Sequence, residues 1–438
     1  MNVYRTIQEK TEYSIPKIML FVICILFAVL TIIWMSWTVY FKIKHPFWSI
    51  QPVFHLHHLH KWFYPPHKLW DSYPITKYVN AYKVKVVNLN ELLKRDKNEY
   101  LQLMNDYSQF IKSYYIVHNQ NTFYYPTSDS LHLYLNNNSN PSYIGYYQDP
   151  ICIPDKSSEK HRFLHEKKSM IAFRNISLYI KDVNMNVNRN TTHIPPLEMY
   201  YVDYLCTEVS SRKHGITPQL IYTSARYIAN SNDTNMNTFL FKREGVVHGI
   251  VPFIQYKSYL FNMTHWKTRD KLDIKPMQYT EVTPGNFSLF IHSLEKIKRE
   301  MGYMFLSNIT NLKCLIEEKK IIPYILHHHS EIHGLFLFKN AEYTYKQNTT
   351  LEFISAWFNI QSNDYDVNLF FDVFLSITKE IRLKYQYTYI IIENVSHIQY
   401  LFKDVFALYR PEYSYTSSYY LYNYIHPTIQ SKDTFLLF

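Results

Sequence analysis

Glycine is almost missing: the chain has 438 residues and 7 glycines. No GxxxxGK[ST] and no GxSxG sequence occurs, so P-loop and serine-hydrolase chemistry lose support. Cysteine is equally scarce. Cys24, Cys152, Cys206 and Cys314 lie far apart and form no CxxC pair, so neither a zinc site nor a disulfide framework is suggested and a reducing compartment is the simpler reading. HExxH is absent. The net charge of +10 is spread thinly, with no dense basic run, which argues against a nucleic-acid partner. The histidine runs HLHHLH (55–60) and HHHSEIH (327–333) invite a metal. Neighbours in an extended run point to opposite faces, so these read as surface or loop histidines, with no metal expected.

Aromatic residues make up 18% of the chain, and 42 residues are tyrosine. With abundant Asn, Ile and Lys, this is the bias of AT-rich codons, as in a large DNA virus or an AT-rich protist, and says nothing of function. Between Lys17 and Lys42 there is no charge. A run of this length crosses a hydrocarbon core of ~30 Å. The reading is a tail over 1–17, a transmembrane helix over 18–41 and interfacial aromatics at Trp34, Trp37, Tyr40 and Phe41. No small-residue cleavage site follows, which disfavours a signal peptide. Arg5, Lys10 and Lys17 precede the span, and Lys42, Lys44 and Lys61 follow it. That symmetry leaves orientation open. Sequons such as those at Asn175, Asn286 and Asn308 are expected by chance in an Asn-rich chain.

Beyond the span, short aromatic and β-branched runs (IAFRNISLYI, TFLFK, YTYIIIE) alternate with helical patterns (NELLKRDKNEYLQLMNDYSQFI, FSLFIHSLEKIKREM, NLFFDVFLSITKEIRLKY). This is a mixed α/β pattern. Two helix-then-strands passages, from about residue 89 to 260 and from about 279 onward, suggest two similar halves. The segment DVNMNVNRNTTHIPP reads as a loop.

The stretch YVDYLCTEVSSRKHGITPQLI runs from a strand, through a polar turn, into a helix. Thr217 is expected to cap that helix, with Pro218 at its first position. A helix start offers free N–H groups and a positive dipole. Gly215 permits close approach of backbone to a ligand, and Arg212 and Lys213 add charge. Two readings stay open: a phosphate or pyrophosphate site, or a strand-to-helix turn that binds nothing.

The R-x-x-G-x-T arrangement between strand and helix resembles the acyl-CoA pyrophosphate loop of GNAT-type acyltransferases. The longer stretch is similar to E-I-N-F-L-C-x-H-K-x-L-R-S-K-R-x-A-P-x-L-I of the glycylpeptide N-myristoyltransferases. It matches without a gap and with identity at Leu205, Cys206, Arg212, Pro218, Leu220 and Ile221. HPFWSIQPV (45–53), YYIVHNQNTFYYPTSDSLHLYL (114–135), EGVVHGIVPFIQYKSYLFN (244–262) and YYLYNY (419–424) resemble further family motifs in the same order.

The resemblance implies two GNAT-like halves in one saddle-shaped sheet. Residues 45–277 would bind acyl-CoA, and 278–438 would form the peptide groove. It implies transfer of a myristoyl group from myristoyl-CoA, a co-substrate and not a resident cofactor, to the amine of an N-terminal glycine. By position, Phe47, Trp48, Cys206, Thr207, Arg212, Lys213, Gly215, Ile216 and Thr217 would contact the CoA. Backbone N–H groups of Tyr204 and Leu205 would form the oxyanion hole. Tyr115, Asp203 and Tyr256 would meet the peptide, and a C-terminal carboxylate on Phe438 would be the base. Use of ordinary acyl-CoA implies a cytosolic domain.

The sequence also departs from the family. Its acidic run is replaced at Val117, His118, Asn119 and Gln120. The asparagine before F-L-C is Asp203, and the glycine-rich loop before YYLYNY is RPEYSYTSS. A non-catalytic membrane-anchored relative that binds acyl-CoA, lipid or a protein therefore stands as the alternative.

Overall fold

The computed structural model describes residues 2–116, 122–154, 161–181, 195–231, 236–267, 277–329, 331–359 and 367–438. The positions of the replaced acidic run and most of DVNMNVNRNTTHIPP lie outside these residues. In chain order the first elements are helix α1 (Asn2–Lys44), β1 (His67–Lys68), β2 (Val84–Asn88), α2 (Leu89–Arg95), α3 (Lys97–Tyr114), β3 (Thr122–Tyr124) and α4 (Ser128–Leu135). Then come β4 (Tyr143–Pro154), β5 (His161–Ile180), β6 (Leu197–Thr207), α5 (Ile216–Ala229), β7 (Phe239–Glu244) and β8 (Ile254–Asn262). The later elements are β9 (Gln278–Glu281), α6 (Phe287–Glu300), β10 (Tyr303–Leu306), α7 (Ile309–Glu317), β11 (Ile321–His328), β12 (Glu331–Tyr345) and β13 (Asn348–Phe358). The last are α8 (Val367–Tyr385), β14 (Tyr389–Glu393), α9 (Phe402–Leu408), β15 (Tyr413–Tyr422), β16 (Tyr424–Ile425) and β17 (Thr434–Leu437).

The fold is the mixed α/β class expected, with one large open sheet. Its main path runs β17-β10-β5-β6-β7-β15-β8-β14-β13-β12-β11-β9. The order of elements repeats. In each half a strand and helices lead into antiparallel strands, and a helical crossover then joins a parallel pair, β6-α5-β7 in one and β13-α8-β14 in the other. The halves interlock: β15 lies between β7 and β8, and β8 pairs with β14. Neither half closes its sheet without a strand of the other.

Local chemistry explains where elements break. The helical pattern over 90–111 is two helices, because Asp96 adopts an extended conformation and its carboxylate accepts from the Asn98 and Glu99 amides. That cap satisfies orphan donors better than continuing the helix through an aspartate. α8 and α6 fall where the periodicity placed them.

Helix α1 extends past the expected end of the span. Its segment Met19–Lys44 is long and apolar enough to cross a membrane, and side chains such as Phe27 are exposed. Phe41 is not: it is 1% exposed, packed in the core with Phe47, Val53 and Ile250. The Trp34 indole N–H donates to the His57 carbonyl at 3.0 Å. The HLHHLH histidines depart from the surface expectation in consequence. His55 and His57 are buried, with ring centroids 5.5 and 5.7 Å from that of Phe41. The end of α1 supplies the apolar wall that buries them. In HHHSEIH, His327 and His328 end β11 half-exposed, while His333 is buried within β12.

Candidate active site

β6 and β7 run parallel and pair only over Tyr200–Val202 and Phe239–Phe241. Past these residues β6 bulges: its register with β5 shifts between Met170 and Ala172, opposite Cys206 and Asp203. Tyr204 and Leu205 fall in that bulge, and Tyr204 takes a φ of 50°, costly for a bulky residue. The strain is held by the Tyr107 hydroxyl, which donates to the Tyr204 carbonyl at 3.0 Å, and by Tyr204 packing edge-on to Tyr107 and Tyr134.

Two cavities meet at the bulge. One, of about 470 Å³, is mainly apolar and lined by Phe47, Trp48, Phe173, Thr217, Ile221 and Phe241 among others. The other, of about 760 Å³, is lined by tyrosines and charged groups, with Phe438 in its wall. Tyr115, Asp203, Tyr204, Leu205, Lys242 and Arg243 border both.

The polar turn is built differently from the sequence reading. Gly215, not Thr217, is the N-cap of α5, at φ 75° and with no side-chain cap. A Cβ there would meet nothing within 4 Å, so glycine is required by the left-handed conformation and not by crowding. Thr217 is in the first turn, and its hydroxyl bonds that of Thr207 at 2.9 Å instead of capping. Thr207 in turn bonds Ser169 at 2.7 Å. Arg212 is a brace: its Nε donates to the Thr207 carbonyl at 3.1 Å and its Nη2 to the Tyr114 carbonyl at 2.9 Å. Lys213 and Gly215 are exposed, and Ile216 is buried in the core. Of this turn, Thr217 and Pro218 reach the apolar cavity.

Other expected residues divide. Phe47, Trp48, Tyr115, Asp203, Tyr204, Leu205 and Phe438 converge on the junction. Cys206 packs away from it, beside α3 and Tyr107, and burial pushes its thiol well above its ordinary pKa, so it is not a reactive nucleophile. Tyr256 does not line either cavity; it is buried, and its hydroxyl donates to Glu393 at 3.0 Å. The departure follows from β8, where Tyr256 is on the face turned to Lys242 and Glu393.

Lys242, Glu393, Arg174 and Tyr134, which the sequence reading missed, complete the site. Lys242 Nζ lies 2.5 Å from Glu393 Oε1. Burial disfavours the ammonium, but attraction to Glu393 and to the Tyr256 and Tyr419 phenols outweighs it and holds the lysine charged. Arg174 is fully buried, and its three guanidinium nitrogens have no hydrogen-bond partner among the described residues. It stacks on Tyr134 at 3.6 Å and lies 5.9 Å from the Phe438 ring. The Tyr134 hydroxyl donates to Asp203 Oδ2 at 2.8 Å. Asp203 Oδ1 accepts from the Tyr204 N–H, also at 2.8 Å.

No family model and no curated protein matches the sequence. The fold is similar to that of solved structures. A crystal structure of Saccharomyces cerevisiae N-myristoyltransferase with bound myristoyl-CoA aligns with a TM-score of 0.61 at 11% identity, covering 90% of this chain and 99% of that one. A second structure of the yeast enzyme with myristoyl-CoA gives 0.63 at 10% identity, covering 91% and 95%. The chain has the N-myristoyltransferase fold.

Proposed function

We propose that the chain is a membrane-anchored acyltransferase that moves a fatty acyl group, of the myristoyl class, from acyl-CoA to the amine of an N-terminal glycine. The observation that carries this reading is the junction of the two cavities at the Tyr204–Leu205 bulge. The apolar cavity suits an acyl-CoA, with Phe47, Trp48 and the start of α5 at its wall. The polar one suits a peptide amine, with Phe438 in reach.

The amine has a pKa of ~8 and is mostly protonated at neutral pH. The carboxylate assigned to Phe438 takes its proton. The freed nitrogen attacks the thioester carbon; the N–C bond forms, the C–S bond breaks, and CoA leaves as a thiolate that takes up the proton the nitrogen loses on becoming an amide. Charge developing on the carbonyl oxygen is met by bulge N–H groups, of which Leu205 is the one not taken by Asp203. Arg174, buried 5.9 Å from the Phe438 ring and without a hydrogen-bond partner among the described residues, is a cation beside this base. Phe41 is a core residue, so a leader cleaved after it would take part of the core away; this favours a retained anchor. Phe47 follows the end of α1 by three residues, which keeps the acyl cavity beside the bilayer. Since one acyl chain binds membranes only marginally, anchoring the enzyme at the bilayer keeps its product nearby.

A second reading, an acyl-CoA-binding relative without transfer, is favoured by one observation: the Tyr204 N–H is already occupied by Asp203. The test is incubation of the full chain in detergent with labelled myristoyl-CoA and a panel of Gly-initiated peptides. Transfer is expected, and it should vanish when residues are added after Phe438 while acyl-CoA binding persists. Tight acyl-CoA binding with no transfer to any peptide would establish the second reading instead. Transfer that survives the extension would remove Phe438 as base.

A further inference from the structure

Residues 56–64, LHHLHKWFY, form an apolar and aromatic surface that the acyl-transfer reading does not use. Leu56, Leu59, Trp62, Phe63 and Tyr64 are all exposed, Phe63 by 89%. The surface is not a loose loop. Phe54 is buried beneath it, with its ring 4.8 Å from that of Trp62, and His55 pairs with Ile250 across a β-bridge. His55, His57 and His58 pack ring to ring at 4.6 to 5.1 Å. These clustered rings form the base of the apolar side chains.

Its position is set by α1. The Trp34 indole is bonded to the His57 carbonyl, so this segment climbs α1 for about two turns beyond Phe41, ~10 Å at 1.5 Å per residue. The uncharged stretch from Ile18 to Phe41 is about 36 Å long at that rise, against a hydrocarbon core of ~30 Å. With this excess of ~6 Å at the C-terminal end, Trp37 is at the hydrocarbon boundary and Trp34 about 5 Å inside it, within the depth that interfacial side chains reach. Lys42 and Lys44 in the last turn of α1, and Lys61 in the segment itself, supply positive charge on the domain side of the span.

We propose that residues 56–64 are a second membrane contact, lying in the bilayer interface beside the α1 span and seating the domain on the lipid surface. The occupant is the interface itself, because Trp34 and His57 tie the surface to the segment read as transmembrane. Two attachment points fix the domain's tilt, which a single span leaves free to rotate. The inference rests on the anchor reading of α1.

The test uses the full chain with Cys24, Cys152 and Cys314 replaced by serine, and a nitrobenzoxadiazole label on a cysteine placed by Ile32→Cys, Phe63→Cys or Leu383→Cys. All three positions are exposed, so the labels leave the core intact. Each protein is reconstituted in phosphatidylcholine–phosphatidylserine vesicles carrying nitroxide lipids. The label at 63 should be quenched at least twofold by shallow nitroxides and that at 32 by deep ones, with 383 unaffected. Quenching at 32 with none at 63 overturns the second contact and keeps the anchor. Quenching at neither removes both. Quenching at 63 alone keeps the surface as a membrane contact and removes the span.

Discussion

The Asp203 carboxylate accepts a hydrogen bond from the backbone N–H of Tyr204 at 2.8 Å, and the Tyr134 hydroxyl donates to its other oxygen. A negative charge therefore sits at the bulge where thioester charge would develop. Two unit charges about 4 Å apart repel by about 4 kcal/mol at an effective dielectric of 20.

Asp203→Asn removes the charge, keeps an oxygen for the Tyr204 N–H and turns the second contact round, its amide NH2 donating to the Tyr134 hydroxyl oxygen. With screening by the open cavities, kcat for acyl transfer should rise about tenfold. KM for the amine should also rise, since a counter-charge for the ammonium is lost. Steady-state kinetics with a Gly-initiated peptide separate the two constants. A fall in kcat would instead make Asp203 the proton acceptor and displace Phe438 from that role.

Gly249 and Gly215 both have positive φ, 82° and 75°, but different surroundings. A Cβ on Gly249 would stand 2.4 Å from the Phe41 ring, while one on Gly215 would meet open space. Gly215→Ala should cost ~1–2 kcal/mol from the left-handed backbone alone. Gly249→Ala adds overpacking of ~1–3 kcal/mol and loosens the end of α1. Denaturant unfolding should rank the two in that order, and Phe41→Leu added to Gly249→Ala should restore part of the loss. Equal costs would mean Phe41 yields freely and does not fix the helix.

Much of this molecule was legible residue by residue. The strand runs, the periodicity of α6 and α8 and the uncharged span each follow from local pattern, and Phe47, Trp48, Thr217 and Pro218 line one cavity while Arg212, Lys213, Gly215 and Ile216 do not. What escaped reading depends on distant partners. The bulge at Tyr204 arises from pairing with β5, and register is a property of two strands. His55 is buried because Phe41 and Ile250 cover it, which its place in the run HLHHLH does not reveal. Lys242 sits in a strand pattern, FLFKRE, that gives no sign of a carboxylate waiting on β14. Thr217 was the better cap by propensity, yet the turn needed a left-handed residue directly before the helix and a hydroxyl for Thr207.

His55 should make the fold acid-sensitive. Burial, then the neighbouring His58 and His57, then Lys61, hold its pKa down to about 3, against the raising effect of the Gln51 backbone. The unfolded value is ~6.5. Between those limits the unfolded chain takes up a proton that the folded chain refuses, so stability is full above pH ~6.5 and falls as pH drops toward 3, by about 1.4 kcal/mol per pH unit. His58 and His397 are lowered in the same direction, each to about 4. His55 Nδ1 has no hydrogen-bond partner among the described residues, so His55→Leu gives up only the contact with the Gln51 backbone and should flatten the decline between pH 6.5 and 5. An unchanged slope in thermal unfolding across that range would show that His55 is not its source.

Lys242 and Glu393 should behave as a unit. The Glu393 side chain is 2% exposed and that of Lys242 24%, so the pair is largely out of water. Lys242→Met leaves a buried carboxylate whose other oxygen accepts from the Tyr256 hydroxyl, and breaking a buried pair from one side costs roughly 3–5 kcal/mol. Glu393→Gln in the same chain removes the stranded charge and keeps an acceptor for Tyr256. Most of the loss should return, giving a coupling energy of at least ~2 kcal/mol in a double-mutant cycle. Because Lys242 also borders both cavities, activity in the stable double variant isolates its role at the junction. Transfer at the original rate would make the lysine a structural strut, while loss of transfer with retained stability would place its charge in the reaction. Additive losses in the cycle would mean the two side chains are satisfied independently, contrary to the 2.5 Å contact.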